Sequence, residues 1–273
     1  MIDAARLQRL VERLRPRAQP TLPADLVVFR IAGFEVGHAQ PEVARFIAQR
    51  VAGFSLSNGV LTLSDDARDI DARTALLTEA ALTMRHAGMI RGWRNELLAV
   101  GQPALATIER AACRPLGITT EAVHLNAYTA VDHLIVARRA AHKQFDPGLW
   151  DNLVGGMVSA GETLQQALER EAWEEAGLRI DFSSLIRGRQ FQMRRPVPEG
   201  LQSEIIHVYD ANLPTDAVLA NQDGEVDAIE TRMLDELVDS IERNEFTLEA
   251  ALVTLESLTR DAGDRSPFYQ ISI

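Results

Sequence analysis

The stretch GGMVSAGETLQQALEREAWEEAGL, residues 155–178, constrains this chain more than any other part of its sequence. Its second half has helical spacing, ends at Gly177 and carries Glu171, Glu174 and Glu175. Residues three and four positions apart lie on the same face of a helix, so these three carboxylates are neighbours. Like charges at that spacing destabilise a helix by a few tenths of a kcal/mol per pair. The face is therefore either solvated or occupied by a cation.

The residue types favour a divalent cation bound through oxygen. Carboxylates held this close together raise one another's pKa unless a cation compensates their charge. Oxygen ligands of this kind suit Mg²⁺ or Mn²⁺, whereas zinc sites more often contain His or Cys. Gly155 and Gly156 add backbone carbonyls that no side chain obstructs, so a loop oxygen can join the ligands. For the segment EREAWEEA alone, a solvated helix face is the commoner explanation.

The wider pattern decides between these two explanations. It runs from Gly156 through five residues to Glu162, then through seven residues to REAWEEAGL, residues 170–178. Seven identities at fixed spacing occur by chance at on the order of one in 10⁸ start positions. The pattern resembles the box of the Nudix family, and it departs from that box at Ala172, where the family more often has a larger aliphatic side chain. The resemblance implies an α/β/α sandwich that binds divalent metal and hydrolyses a diphosphate linked to another moiety.

The resemblance also implies a role for each residue of the box. We expect Mg²⁺ as the cofactor, with Mn²⁺ as an alternative. The expected metal ligands are the carbonyl of Gly155 and the carboxylates of Glu171, Glu174 and Glu175. The expected catalytic residues are Glu174, ranked first as the base, Glu171 and Arg170, which would orient a box carboxylate. Glu162 would brace the loop, and Gly156 and Gly177 are expected to be structural.

A further metal ligand is expected from outside the box. The segment NQDGEVDAIE, residues 221–230, offers three carboxylates ahead of the next helical pattern. We favour Glu225 over Asp223 and Asp227, because the DGEV pattern recurs in related Nudix branches. An exposed acidic turn around Asp223-Gly224 would explain the same residues equally well.

The residues just before the box are more selective for a substrate than the box itself. HLNAY, residues 124–128, is followed by ARR, residues 137–139, by Lys143 and by PGLWDN, residues 147–152. That order resembles the Nudix branch related to thiamine pyrophosphokinase-associated enzymes, which carries an extra N-terminal domain of about the length seen here. Ala127 departs from that branch, where glycine is usual. The resemblance implies thiamine diphosphate, or its oxidised oxo and oxy analogues, as the substrate, and it implies as substrate-binding residues Asn126, Arg138, Arg139, Lys143 and Trp150.

These substrate roles compete with plainer structural ones. Arg138, Arg139 and Lys143 are basic groups in an acidic protein, and such groups suit a diphosphate. Trp150 offers a surface on which a flat heteroaromatic ring can stack. Paired arginines at a strand end are often only solvated, however, and a tryptophan after Pro-Gly often only packs within a loop.

Other functions fit parts of the pattern. Cleavage of a nucleoside diphosphate derivative, such as ADP-ribose or a dinucleotide, would require the same box. Isopentenyl-diphosphate isomerases share the Lys…Pro-Gly-x-Trp approach, but they need a cysteine where this chain has Val154-Gly155-Gly156. Cys113 lies well before that strand and is expected to be a small buried side chain. A non-catalytic ligand-sensing module commonly lacks box glutamates, all of which this chain keeps.

Charge and composition exclude several classes of partner. The net charge of −11 at pH 7 argues against a protein that grips nucleic acid or an anionic membrane through bulk charge. Cys113 is the only cysteine, so the chain has no intramolecular disulfide. No apolar run reaches the roughly 18–20 residues that a membrane span needs. We therefore expect a cytoplasmic enzyme whose partner is a small-molecule diphosphate, and homodimer formation is left open.

The chain divides into two predicted domains. Residues 1–115 are typical of a small α+β accessory domain, in which Asn58-Gly59 between alternating apolar residues predicts a β-hairpin. The proline-containing segment 100–120 is the expected boundary. Residues 116–273 mix strands and helices in the way of a sheet with helices packed on its faces. The predicted fold class is therefore α/β, a Nudix α/β/α sandwich preceded by a small α+β domain.

Overall fold

The computed structural model describes residues 3–64, 69–130 and 132–260. Residues 1–2, 65–68, 131 and 261–273 of the two predicted domains lie outside this described part. The first helices and strands along the chain are α1 (Ala4–Ala18), β1 (Val27–Ile31), β2 (Phe34–Ala39), α2 (Pro41–Arg50), β3 (Phe54–Ser57), β4 (Val60–Leu63), α3 (Ile70–His86), β5 (Leu97–Val100), β6 (Ala106–Glu109) and α4 (Arg110–Leu116).

A small sheet forms the centre of the N-terminal domain. Its four strands lie in the order β2–β1–β4–β3, and β5 and β6 form a separate antiparallel pair. The predicted hairpin joins β3 and β4, with Asn58 at φ 49° and Gly59 at φ 76°. Two positive φ values are what a two-residue type I′ turn requires, and Asn-Gly adopts them readily. Apolar side chains of α2, α3 and α4 pack with this sheet into one core.

A larger mixed sheet forms the centre of the second domain. Its strands and helices are β7 (Thr119–Ala130), β8 (His133–Arg139), β9 (Trp150–Asn152), β10 (Val154–Met157), α5 (Leu164–Ala176), β11 (Ile186–Val197), β12 (Gly200–Asn212), β13 (Val226–Met233), α6 (Leu234–Glu242) and α7 (Leu248–Arg260). The main strand order is β11–β12–β7–β8–β13, with β12 and β7 parallel. In addition, β10 pairs with β7, and β9 pairs with β8.

The large sheet divides in the middle of β7. The first half of β7, Ala122–Leu125, pairs with β10, whereas its last residues pair with β8. Both Gly155 and Gly156 therefore lie on a strand that is inserted where β7 and β8 separate. This division brings the start of the sequence box to an opening in the sheet.

Helices cover both faces of the large sheet. On one face, α5 packs against apolar side chains of β7, β10 and β12. On the other face, α6 and α7 pack against side chains of β8, β11 and β12. The predicted fold class, an α/β/α sandwich preceded by an α+β domain, is confirmed by this arrangement.

The first helix belongs to the second core, although the sequence analysis counted it with the N-terminal domain. Leu7, Leu10, Val11 and Leu14 of α1 are buried with side chains of α6 and α7. Arg6 donates to both carboxylate oxygens of Glu242, at 3.0 and 2.8 Å, across 236 residues of sequence. The apolar face of this helix needs a partner, and α7 provides it.

The expected boundary segment is ordered structure. Within residues 100–120, β6 and α4 contribute Ile108, Ala112 and Leu116 to the N-terminal core. Gly117, at φ 58°, ends α4, and β7 begins two residues later. The predicted division after residue 115 thus falls at the end of α4. Among the described residues, no helix is long and apolar enough to cross a membrane.

Candidate functional site

Helix α5 is positioned by its two ends and by its apolar face. Thr163 caps the N-terminus, where the Gln166 N–H donates to the Thr163 hydroxyl at 3.2 Å and the Thr163 N–H donates back to Gln166 at 2.9 Å. Gly177, at φ 62°, ends the helix. Leu168 and Ala172 are fully buried against the sheet. The small side chains on this face bring the helix close to β10, so the glutamates on its edge meet the Gly155-Gly156 strand.

The two glycines give the glutamates room. A Cβ atom on Gly156 would lie 2.0 Å from the Oε1 atom of Glu171, and one on Gly155 would lie 2.9 Å from the His124 ring. Neither contact can be accommodated without movement. The Gly155 N–H also donates to the Oε2 atom of Glu175 at 2.8 Å. Glycine at position 156 is therefore required for Glu171 to lie where it does.

Arg170 holds the loop and the glutamates together. Its guanidinium forms a two-bond contact with Glu162, at 2.7 and 2.9 Å, and donates to the Met157 carbonyl at 2.9 Å. Its Nη1 atom also donates to Glu171 at 2.7 Å and to Glu174 at 3.2 Å. The structure thus places Arg170 between the loop that precedes α5 and two of the expected metal ligands, and this contact restricts their orientation.

Two of the three glutamates are buried acids. Burial raises the pKa of Glu171 to about 6, although Arg170 opposes the change. Burial also raises the pKa of Glu175 well above its ordinary value, and the charge of Glu171 adds to the effect. Glu174 is different, because 41 % of its side chain is exposed. Ionising both buried acids without a compensating cation costs free energy, which a bound divalent ion would recover.

The donors suit a hard divalent metal, although they do not converge on one point. Within residues 3–64, 69–130 and 132–260, no three His, Cys, Asp or Glu side chains are grouped closely enough to hold a metal ion. The Arg170 guanidinium lies between Glu171 and Glu174, in contact with both. Carboxylate oxygens with a backbone carbonyl are the donor set that Mg²⁺ and Mn²⁺ take. The residues present therefore fit such an ion in chemistry, provided that these side chains turn away from Arg170.

Glu225 does not join the box glutamates, in contrast to the sequence expectation. One of its oxygens accepts from Arg94 at 3.0 Å, and the other contacts the Lys143 ammonium. Burial would raise the pKa of Glu225, but Lys143 and Arg94 outweigh burial and lower it. Both carboxylate oxygens are thus engaged by cations from two different parts of the chain. Glu225 thus connects the two domains, and its role as a metal ligand stays a prediction.

A cavity of about 380 Å³ separates the N-terminal domain from the large sheet, beside the start of the box. Arg139 and Lys143, two of the expected substrate-binding residues, line it together with Phe145 and Met157. Arg139 donates to Asp151 at 3.0 Å and to the Phe145 carbonyl at 3.3 and 3.0 Å. The cavity therefore has cationic and apolar walls.

The other expected substrate-binding residues lie elsewhere. Asn126 is fully buried and is hydrogen-bonded to Asp210 at 2.9 Å and to Asn152 at 2.8 Å, so its amide serves the core. Arg138 lies on the sheet face opposite Arg139, because neighbouring side chains of a strand alternate between faces. Trp150 is 8 % exposed and packs under Arg232, with 3.7 Å between guanidinium carbon and ring centre. Each of these three side chains has a structural partner in the fold, and their roles in substrate binding stay predictions.

Comparison with known families agrees with this geometry. A family model described as the NUDIX domain matches residues 120–253, from the start of β7 into α7. Residues 120–253 thus match the Nudix domain. A second model, described as a domain of unknown function (DUF4743), matches residues 9–120.

The Nudix domain is shared with named relatives. Nudix hydrolase 24, chloroplastic, from Arabidopsis thaliana is 29 % identical over 226 residues, which cover 76 % of this chain and 59 % of that protein. An uncharacterized protein of Saccharomyces cerevisiae is 27 % identical over 233 residues, covering 76 % of this chain and 67 % of that protein. The crystal structure of DR0079 from Deinococcus radiodurans has a TM-score of 0.47 and 24 % identity, covering 59 % of this chain and 98 % of that chain. The family model and the Arabidopsis relative support the predicted Nudix fold, and this chain spans less than two thirds of that relative's length.

Four arginines that line this cavity were not predicted from the sequence. Arg91, Arg94, Arg110 and Arg114 come from the N-terminal domain and line the cavity opposite the large sheet. Arg114 lies over the Phe145 ring at 4.0 Å and so joins the two walls. No local pattern marks these residues. Arg94 falls in the most basic patch of the N-terminal domain, and that patch was the one available signal.

Cys113 also lines the cavity, but it is not a reactive group. Burial raises the pKa of its thiol to about 12, so the sulfur stays protonated at neutral pH. The thiol lies on α4, whereas an isomerase of this family would need it on the strand entering the box. The structure thus places Cys113 where the sequence analysis expected a small buried side chain.

Proposed function

We propose that this protein hydrolyses the diphosphate of a small molecule with a divalent metal ion, and that the substrate is thiamine diphosphate or its oxidised oxo or oxy analogue. One observation carries the proposal: Met157 of the box lines a cavity that also has arginine and lysine in its walls, and the Met157 carbonyl accepts from Arg170, which contacts two box glutamates. Carboxylates next to cationic side chains suit a metal-diphosphate complex, because the carboxylates bind the metal while the arginine and lysine side chains contact the phosphate oxygens.

The metal would be held by the Gly155 carbonyl and by Glu171, Glu174 and Glu175. When bound, Mg²⁺ or Mn²⁺ supplies charge neutralisation at the phosphate oxygens and a lower pKa for the attacking water. Glu174 is the exposed member of the three, so we assign it the proton of that water. The water oxygen bonds to the terminal phosphorus, the bond from phosphorus to the bridging oxygen breaks, and that oxygen leaves with the monophosphate. Arg170 orients the carboxylates during this step.

The cavity supports a heterocyclic diphosphate as substrate. Arg139 and Lys143 line the wall formed by the large sheet, where they can meet phosphate oxygens. Phe145 and Met157 add apolar surface for a ring system. Since Trp150 packs in the core, Phe145 replaces it as the aromatic residue nearest to a bound heterocycle. The thiamine assignment itself rests on the order of HLNAY, ARR, Lys143 and PGLWDN before the box.

The test is product release from a panel of substrates in Mg²⁺ or Mn²⁺. The panel contains thiamine diphosphate, its oxo and oxy analogues, ADP-ribose, NADH and a nucleoside triphosphate. We expect the thiamine compounds to yield the monophosphate, and Glu174→Gln to lower kcat by about a hundred-fold or more. The matched control is Glu169→Gln on the same helix, whose carboxylate accepts from Gln165 at 2.8 Å. That variant should stay within about two-fold of the unchanged protein, as remote surface changes usually do.

Other outcomes would change the proposal in defined ways. Turnover of only ADP-ribose, NADH or the nucleoside triphosphate would retain diphosphate hydrolysis but replace the substrate. Equal activity of the Glu174 and Glu169 variants would remove Glu174 from the mechanism. No turnover across the panel, together with no change of melting temperature on adding metal, would contradict hydrolysis and favour a ligand-sensing module.

A further inference from the structure

The N-terminal domain faces the same cavity as the Nudix box. Arg94, Arg110 and Arg114 lie on its side, and Arg139 and Lys143 lie on the side of the large sheet. The two sets of cations thus face each other across about 380 Å³. A diphosphate that enters this space from the box would meet both walls.

Arg110 is held in place by residues of both domains. Its Nη1 atom donates to one carboxylate oxygen of Glu96 at 2.8 Å, and the other oxygen accepts from the Ser159 hydroxyl at 3.1 Å. Ser159 belongs to the loop of the box, and its backbone N–H donates to Glu162 at 3.0 Å. The adjacent Ala160 N–H donates to the Leu97 carbonyl at 2.8 Å. These contacts fix the position of Arg110 relative to the loop that precedes α5.

Arg110 also keeps more N–H donors for a ligand than Arg139 on the opposite wall. The Glu96 bond uses one of the five N–H groups of a guanidinium. Arg139 makes three hydrogen bonds to Asp151 and Phe145, and Lys143 contacts Glu225. In the described part of the chain, Arg110 is therefore the better placed of these cations to bind a further anion.

The charges around Arg110 connect it to the box. Burial disfavours its charged form, but Glu96 outweighs burial, so the pKa of Arg110 is raised and the guanidinium stays charged. Glu171 and Glu204 add to this effect, and in return Arg110 opposes the rise in the pKa of Glu171. Arg110 thus lies within electrostatic reach of Glu171, an expected metal ligand.

We propose that the N-terminal domain forms one wall of the substrate site, and that Arg110 binds the diphosphate through the cavity between the domains. The inference rests on the proposed function, since it concerns the same substrate. Glu96 is a positioning residue, which aligns Arg110 through its bond to Ser159. Neither domain alone has the complete site.

The experiment measures binding of methylenediphosphonate, a diphosphate that cannot be hydrolysed, by calorimetry of the full chain in Mg²⁺. We expect Arg110→Gln to weaken binding about ten-fold or more, because a charged bond to a phosphate oxygen is lost. Glu96→Gln should weaken it less, and in hydrolysis it should raise KM with kcat retained. Arg45→Gln is the matched control, since Arg45 is an exposed arginine on α2 of the same domain. Melting temperatures check that each variant folds.

The outcomes separate this inference from the proposed function. Binding by Arg110→Gln within about two-fold of the unchanged protein would overturn the inference, even if the substrate panel is hydrolysed. Absence of diphosphonate binding by the unchanged protein would overturn it as well. Loss of binding in Arg110→Gln without hydrolysis of any panel compound would retain the inference and reject the enzyme. If Arg110→Gln does not fold, Arg110→Lys decides, since undiminished binding by that variant would contradict a role for the guanidinium.

Discussion

Replacing Glu171 by glutamine is expected to stabilise the metal-free protein at neutral pH. The side chain is 11 % exposed, and burial raises its pKa from 4.5 to about 6. The folded state therefore binds the Glu171 proton more tightly than the unfolded state does. The contribution of Glu171 to the free energy of unfolding is greatest at and below pH 4.5. It falls as the pH rises towards 6 and stays lower above that value. Glutamine keeps the acceptor for Arg170 and removes the buried charge.

The magnitude follows from the pKa of Glu171. A rise from 4.5 to about 6, at about 1.4 kcal/mol for each pKa unit, corresponds to about 2 kcal/mol. The free energy of unfolding of Glu171→Gln, measured in urea with EDTA at pH 7.5, should therefore exceed that of the unchanged protein by about 2 kcal/mol. The difference should approach zero at pH 4.5. Glu169→Gln on the same helix, as control, should show no such pH dependence.

Adding Mg²⁺ to the same two proteins tests the opposite expectation. Mg²⁺ should stabilise the unchanged protein more than Glu171→Gln, because only the carboxylate gains from the cation. A variant that is less stable than the unchanged protein in EDTA at pH 7.5 would refute the reasoning. A difference that does not vary between pH 4.5 and 7.5 would refute it too, since the effect would then not come from ionisation.

Further changes probe the rest of the site and the fold. Gly156→Ala puts a Cβ atom 2.0 Å from the Oε1 atom of Glu171, so the Glu171 carboxylate must move. A displacement near 1 Å should lower kcat by about a hundred-fold, while the circular dichroism spectrum stays that of the unchanged protein. Steady-state kinetics should show Arg138→Gln unchanged and Arg139→Gln with KM raised about ten-fold; equal losses would mean that strand alternation does not separate the pair. Leu10→Ala should lower the free energy of unfolding by about 2–5 kcal/mol, and increased hydrogen exchange in α7 should locate the damage in the second core.

Local patterns predicted the parts of the molecule that neighbouring residues determine. The box spacing, the end of α5 at Gly177 and the Asn58-Gly59 turn all depend on contacts or dihedral angles within a few residues. Gly156 was expected to be structural from the spacing of the box, although its close neighbour Glu171 lies on α5 and not beside it in the sequence. The turn and the helix end could be predicted because the sequence contains both members of each interaction side by side.

Long-range contacts explain the features of the site that the sequence did not predict. Glu225 pairs with Arg94 across 131 residues, and no spacing rule connects the two. Asn126 was predicted to bind the substrate, but its side-chain amide donates to Asp210 and accepts from Asn152. The adjacent arginines at 138 and 139 were taken together, although a strand sends them to opposite faces. Arg110 was not predicted, because it lies at the cavity only where the two domains come together in the fold.

The packing of α1 on α7 sets an order for the assembly of this protein. Arg6 and Glu242 are 236 residues apart, so α1 leaves the ribosome long before its partner is made. At roughly 5–20 residues per second, that interval is on the order of 10–50 s. During that interval, α7 is not yet available to bury the apolar face formed by Leu7, Leu10, Val11 and Leu14. The N-terminal sheet can fold early, whereas the core that supports the Nudix box closes only when synthesis reaches α7.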